Sequence, residues 1–236
     1  MRGHRAGAVL LAGGLLLSGC SGGDGGGGDG GGEEAAQLLT RAKTTLDAAP
    51  SLHFELTSAD APPTGTAVLG GSGDIARPAG FTGTLQVQSI AGTVDVQVVS
   101  VDGTVYAQLP FTSSFSVVDP ATLGFGDPGA LIDPDTGISQ LLTAAESPEL
   151  GEESRVDGEV VRTVTASLPG DLVESLLTTA DPTQPVRAEI SIAEDSGELR
   201  QVQMTGPFFA AGQDADYTIV LSDYGADVQI TAPAVG

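Results

Sequence analysis

The sequence predicts an α+β domain built on one large antiparallel sheet with helices on one face. Three observations lead there. From Ser51 onward, apolar residues recur at every second position over many short runs, the pattern of strands with one buried face. Asp-Gly and Gly-rich turns separate these runs; such turns close hairpins and make sequential strands antiparallel neighbours. Helical periodicity is confined to an N-terminal segment and to insertions between runs of strands, an α+β arrangement and not alternating βαβ.

The N-terminus has its own logic. Met1 to Arg5 is short and basic, and Ala6 to Leu17 is an unbroken run of Ala, Gly, Val and Leu. That run has the length of an export-signal core and is too short to span a bilayer. Leu17-Ser18-Gly19-Cys20 follows, and Cys20 is the only cysteine of the chain. These four residues resemble the lipobox of bacterial lipoproteins. The resemblance implies removal of residues 1–19, acylation of Cys20, and a lipid-anchored protein on the outer face of the cell membrane. Each buried methylene of such an anchor contributes roughly 0.8 kcal/mol, and two chains suffice for stable attachment. Without a second cysteine no disulfide forms, so the domain must fold on its core alone. Ser21 to Gly32 reads SGGDGGGGDGGG, a flexible tether spanning on the order of 20 Å. The expected organisation is a signal over 1–19, acylated Cys and tether over 20–32, and one folded domain over 33–236.

Residues 33–49 form the first expected helix. Ala35, Leu38, Leu39, Ala42 and Leu46 make one apolar stripe, Glu33 and Glu34 suit the N-terminal dipole, and Pro50 stops it. The period then switches to two, giving strands near 51–57, 67–76, 81–89, 93–101 and 104–109, the last pair closed by Asp102-Gly103. Residues 110–146 change character. Asp119-Pro120, Asp127-Pro128 and Asp133-Pro134 each set a capping residue before one suited to the first helical position, so short helical turns are expected. Residues 137–146 read as a better helix, with Ile138, Leu141, Leu142 and Ala145 on one side.

The second half follows the same logic: a strand at 151–157, the turn Asp157-Gly158, a strand at 159–168, then a helix carrying Leu172, Val173, Leu176 and Leu177 on one face. Strands at 186–193, 198–205, 215–222 and 227–231 complete the chain. Val101-Asp-Gly-Thr leading to Leu109-Pro110 is similar to Val156-Asp-Gly-Glu leading to Leu168-Pro169, which suggests two related halves. In all, roughly nine or ten strands and three or four helices are expected.

Composition excludes several function classes. Acidic residues outnumber basic ones 31 to 9, a balance that repels nucleic acid and anionic headgroups. Attachment to a membrane would come from acyl chains, not from charge. His4 leaves with the signal, so His53 is the sole histidine of the mature chain, on the polar side of its strand. No G-x-S-x-G motif occurs, and an acylated Cys20 is blocked as a nucleophile. Carboxylate pairs arise by chance among so many acids, so no enzyme is expected and no cofactor. Asp133-Pro-Asp135-Thr-Gly137 begins like a calcium loop but lacks the third acidic position and the distant Glu, which leaves helix capping as its role and no metal site.

Taken together, the lipobox, the first helix, Val105-Tyr106-Ala107-Gln108-Leu109-Pro110, Asp119-Pro120-Ala-Thr-Leu, Asp133-Pro-Asp-Thr-Gly137-Ile-Ser-Gln-Leu-Leu142 and the later hairpins resemble the LppX/LprA/LprF/LprG family of actinobacterial lipoproteins over about residues 33–232. The resemblance implies a strongly curved antiparallel half-barrel sheet, related in shape to LolA/LolB carriers. It places helices on the concave face, enclosing a hydrophobic cavity for acylated lipids or glycolipids. An envelope transporter is a further partner it admits. The long Gly tether, the acidic surface and the few aromatics depart from the family pattern and bear on which ligand is held.

The candidate cavity wall comprises Leu85, Val87, Val94, Val96, Val98, Val105, Ala107 and Leu109 from strands, and Ile138, Leu141, Leu142, Leu172 and Leu176 from helices. A dry core has the same composition, and then the molecule would be a closed-core interaction module presenting an acidic face to another envelope protein. Two features favour unfilled space. The sheet is wide while its helices are short and interrupted, and the inward side chains are Val, Ala and Leu with few aromatics to occupy volume.

Overall fold

The computed structural model describes residues 29–90 and 92–236, with side chains from residue 31 onward. The signal, Cys20 and most of the tether lie outside the described residues. Helix α1 spans Asp29–Ala48 and buries Ala35, Leu39, Ala42 and Leu46, the expected stripe. It starts inside the expected tether, where Gly32 lies close against the Pro148 carbonyl. Glycines have poor helix propensity, so packing against the neighbouring strand holds this first turn. At the other end Arg77 donates from Nε to the Ala49 carbonyl at 2.8 Å and from Nη2 to the Leu46 carbonyl at 3.3 Å, placing a cation on the carbonyls the helix leaves open.

Eleven strands form one open antiparallel sheet. The first meander comprises β1 (Ser51–Ser58), β2 (Ala67–Ala76), β3 (Gly80–Ser89), β4 (Gly92–Val101), β5 (Thr104–Gln108) and β6 (Ser116–Val117). The second comprises β7 (Glu146–Val156), β8 (Glu159–Leu168), β9 (Val186–Ala193), β10 (Leu199–Ala210) and β11 (Gln213–Ser222). The meanders join where β1 pairs β11, Phe54 opposite Leu221 and Leu56 opposite Ile219. The expected two halves are thus two meanders side by side. Asp102-Gly103 and Asp157-Gly158 all have positive φ, as a type I′ turn requires.

Alternation sets the faces. Leu52, Phe54 and Leu56 point to the core side, while His53 on the outer face contacts Asp74 through Nδ1 at 2.7 Å. On the core side Gly73 and Gly83 lie opposite each other, and a Cβ on Gly83 would stand 2.7 Å from both the Gly73 Cα and the Phe81 ring. The ring fills the space the glycines leave, and such glycines let a wide sheet bend.

The two ends of the strands are distinct. One end carries the β3–β4, β5–β6 and β10–β11 connections, the other the β4–β5, β7–β8 and β9–β10 turns. Helix α1 runs between them. Its N-terminus lies beside Pro148 at the first end, and its Arg41 packs on Gly197 in the β9–β10 turn at the second.

Helical pieces cover the core face between β6 and β10: two 3₁₀ turns at Pro120–Leu123 and Pro128–Ala130, α2 (Ser139–Ala144) and α3 (Gly170–Leu176). Several expectations need correction. The helix expected over 137–146 is shorter, and β7 begins at Glu146, not 151. Its Pro148 sits on an edge strand, where a missing donor costs no ladder bond. No strand forms at 227–231. Both edges of β11 are already taken by β1 and β10, so the tail crosses to place Ile230 against Gly80 and Val235 beside Phe115. Asp133-Pro134 starts no helix. Instead the Asp133 carboxylate accepts from the Asp135 and Thr136 amides, each at 2.9 Å.

Candidate functional site

A cavity of about 360 Å³ lies between the middle of the sheet and the helical cover, within the roughly 300–1,000 Å³ typical of ligand sites. Its floor is where the two meanders meet: Phe54 and Leu56 of β1, Val68 of β2, Leu85 of β3, Met204 of β10 and Ile219 of β11. Phe125, Leu131, Ile138 and Leu141 of the 120–144 segment form one wall, and Leu172, Val173, Leu176 and Leu177 of the α3 region the other. The floor is buried, whereas Asp135, Thr136 and Ser175 are exposed and Leu131, Leu172 and Leu176 half-buried, so the space opens between the two walls. The interior is apolar, and the polar groups stand on the cover.

The cover is fastened at three places. Asp127 caps the second 3₁₀ turn, accepting from the Gly129 amide at 2.8 Å and from the buried Ser100 hydroxyl of β4 at 2.6 Å. The Gly126 amide donates to the Leu176 carbonyl at 3.3 Å, tying the two walls together. Lys43 of α1 donates to the Pro134 carbonyl at 3.3 Å and the Ser139 hydroxyl at 3.1 Å, and pairs with Asp47 at 2.9 Å. Beside the cavity floor, on the same face of the sheet as Met204 and Ile219, Tyr217 donates to the Val68 carbonyl at 2.5 Å and meets Phe208 edge-on at 4.9 Å; burial pushes its phenol pKa up.

Of the strand and helix residues expected in the wall, Leu85, Ile138, Leu141, Leu172 and Leu176 line this cavity. Val87, Val96, Val98, Val105, Ala107 and Leu142 are buried in the core away from it, and Val94 packs half-buried against that core. Leu109 is a correction: it lies beyond the end of β5 and is 39% exposed. The displacement has a simple cause. The expected wall was centred on β3–β5, where the Pro128–Ala130 turn packs down onto Ala79 and Ser100 and leaves no room. The space lies instead over β1, β11 and β10. The alternation of Phe54 and Leu56 was visible in the sequence, but nothing local says that β1 pairs with a strand some 160 residues away.

Among the described residues no three His, Cys, Asp or Glu side chains gather as a metal site, and no helix is long and apolar enough to cross a membrane.

Relatives place this architecture. The lipoarabinomannan carrier protein LprG of Mycobacterium tuberculosis is 27% identical over 203 residues, covering 85% of this chain and 83% of that protein. Lipoprotein LprA of the same species is 25% identical over 206 residues, covering 84% and 81%. The crystal structure of LprF from Mycobacterium bovis matches with a TM-score of 0.70 at 17% identity, covering 86% of this chain and 98% of that one. LppX of M. tuberculosis matches at 0.63 with 14% identity, covering 84% and 99%. These proteins bear the names of carriers and lipoproteins, not of enzymes. The LppX_LprAFG lipoprotein model matches residues 34–230, nearly the whole folded domain, and the chain belongs to that lipoprotein family.

Proposed function

We propose that this protein is a membrane-anchored carrier that takes the acyl chains of a lipid or glycolipid into the cavity over β1 and β11 and moves them between envelope layers. The observation that carries the reading is an apolar cavity at the centre of the sheet, open between two helical walls. Transfer needs no catalysis: chains that leave a bilayer for a dry apolar cavity exchange one hydrocarbon surrounding for another, so little free energy separates the two states. Asp135, Thr136, Gln140 and Ser175 border the space and offer hydrogen bonds to a hydroxyl-rich headgroup at the opening. The name of LprG, a lipoarabinomannan carrier, supports a glycolipid in this role. At about 360 Å³ the cavity is at the small end for ligand sites, so a multi-acyl cargo would require the 119–146 segment to lift. That segment is our candidate for the movable wall, because its Asp-Pro and Gly breaks leave only short pieces between hinges. Cys20, outside the described residues, is the proposed anchor.

The test is cavity filling. Leu176→Trp and Leu141→Trp place an indole in the space and are expected to lower saturable uptake of a fluorescent diacyl lipid, while Gln203→Trp on the outer face leaves it unchanged. Equal uptake by all three folded variants would contradict the cavity as the binding site.

A further inference from the structure

The end of the sheet that carries the N-terminus of α1 also carries the most exposed apolar side chains of the described residues. Ile90, in the β3–β4 turn, and Phe111, in the β5–β6 connection, are fully exposed. Leu109 and Val117 beside Phe111 are exposed as well. Phe111 has a φ of 69°, a left-handed conformation that bulky residues rarely adopt. The turn around it is closed by hydrogen bonds. The Thr112 amide and hydroxyl both donate to the Leu109 carbonyl, at 3.1 and 2.7 Å, and Gln108 Nε2 donates to the Thr112 carbonyl at 3.1 Å. The loop therefore presents its ring outward from a fixed turn. The segment from Gly103 to Val118 has no charged residue, in a chain with 31 acidic and 9 basic ones, whereas the exposed Glu33, Glu34, Glu146 and Glu149 stand at the same strand end toward the β7 edge.

The geometry points to this corner as a bilayer-docking surface, with Ile90 and Phe111 entering the hydrocarbon boundary of the membrane that holds the acyl chains of Cys20. Three features select a bilayer as the occupant. Cys20 lies nine positions before Asp29, where α1 begins, a stretch that reaches at most about 30 Å. Helix α1 starts beside β7, and Ile90 and Phe111 project from the opposite flank of the sheet at the same strand end, so the tether keeps that strand end, and with it the corner, facing the membrane. The intervening residues, Ser21 to Gly28, are Ser, Gly and Asp, with no side chain that could cover an apolar corner. Isolated apolar projections from an uncharged loop suit shallow insertion, whereas a protein partner of stable affinity needs a broad, continuous patch. Asp60 after β1 and Asp214 at the start of β11 lie toward this end together with those glutamates, so docking is driven by apolar contact and is weakened by anionic lipid.

This inference rests on the anchor at Cys20 and not on the carrier reading, so cargo in the cavity neither supports nor defeats it. The chain has no tryptophan, which makes a single introduced indole a clean reporter. Full-length acylated protein carrying Ile90→Trp or Phe111→Trp is reconstituted in phosphatidylcholine vesicles with brominated acyl chains. Asp195→Trp, exposed in the β9–β10 turn at the opposite end, is the reference. Both tip variants are expected to show blue-shifted emission and strong quenching, the reference neither, and phosphatidylglycerol should reduce the quenching. Co-flotation of all three without quenching at either tip overturns the proposal and turns the corner toward a protein partner. Failure of the full chain to float overturns it through the anchor. If Phe111→Trp disturbs its turn, Ile90→Trp alone decides.

Discussion

The flank of the sheet at β3–β5 and its centre at β1–β11 present the same kind of side chain to the same helical cover, yet one is a dry core and the other borders open space. Over the flank, Asp127 is bonded to Ser100 and Gly129 sits so close that a Cβ would stand 2.8 Å from the Ser100 hydroxyl. Over the centre, the cover spans from Gly126 to α3 without descending to the sheet. Composition therefore does not distinguish core from cavity in this fold. The points where the cover is fastened do.

Truncations on the two sides should separate them most sharply. Phe81 of β3 is fully buried on the closed flank and borders no open space, and Phe81→Ala is expected to cost about 3–5 kcal/mol in urea unfolding. Leu176 is half-buried and already faces empty volume, so Leu176→Ala should cost less than about 1 kcal/mol. Equal costs would erase the distinction. Next in size is the fastening itself. Ser100→Ala removes a fully buried donor from Asp127 and should cost about 1–3 kcal/mol, with faster hydrogen exchange confined to residues 119–137.

The smallest effect concerns Asp133, at the start of the opening segment. Hydrogen bonds from the Asp135 amide first, and from Thr136, hold its pKa below the usual carboxylate value. A carboxyl depressed by folding adds stability above its unfolded pKa of about 3.9, and that stability is lost as pH falls through the lower folded value. The expected result is a loss of stability below about pH 4 that is smaller in Asp133→Asn than in the parent chain. Identical acid profiles would show that this turn contributes nothing measurable.

Much of the fold was legible in the sequence because its signals are local. The bounds of β2, β8 and β9 coincide with their alternating runs, the two Asp-Gly pairs are the I′ turns, and the α1 stripe is the buried face. What the sequence hid depends on distant contacts. The β1–β11 pairing, which fixes where the floor lies, joins segments from opposite ends of the domain. The early start of β7 lacks alternation because an edge strand buries little, and Val228 and Ile230 alternate like a strand but find no free sheet edge. The candidate wall suffered for the same reason: of its helical members, Ile138, Leu141, Leu172 and Leu176 border the cavity and Leu142 does not, while of the strand members only Leu85 does.

The most direct test is native mass spectrometry of the Cys20→Ser chain, secreted from a lipid-rich actinobacterial host so that no covalent acyl group adds to the mass. A carrier predicts a discrete mass excess that disappears on solvent extraction and leaves an acylated lipid or glycolipid in the organic phase. A bare polypeptide mass that takes up no added diacyl or triacyl lipid would contradict the account and favour a closed module that works through its acidic surface.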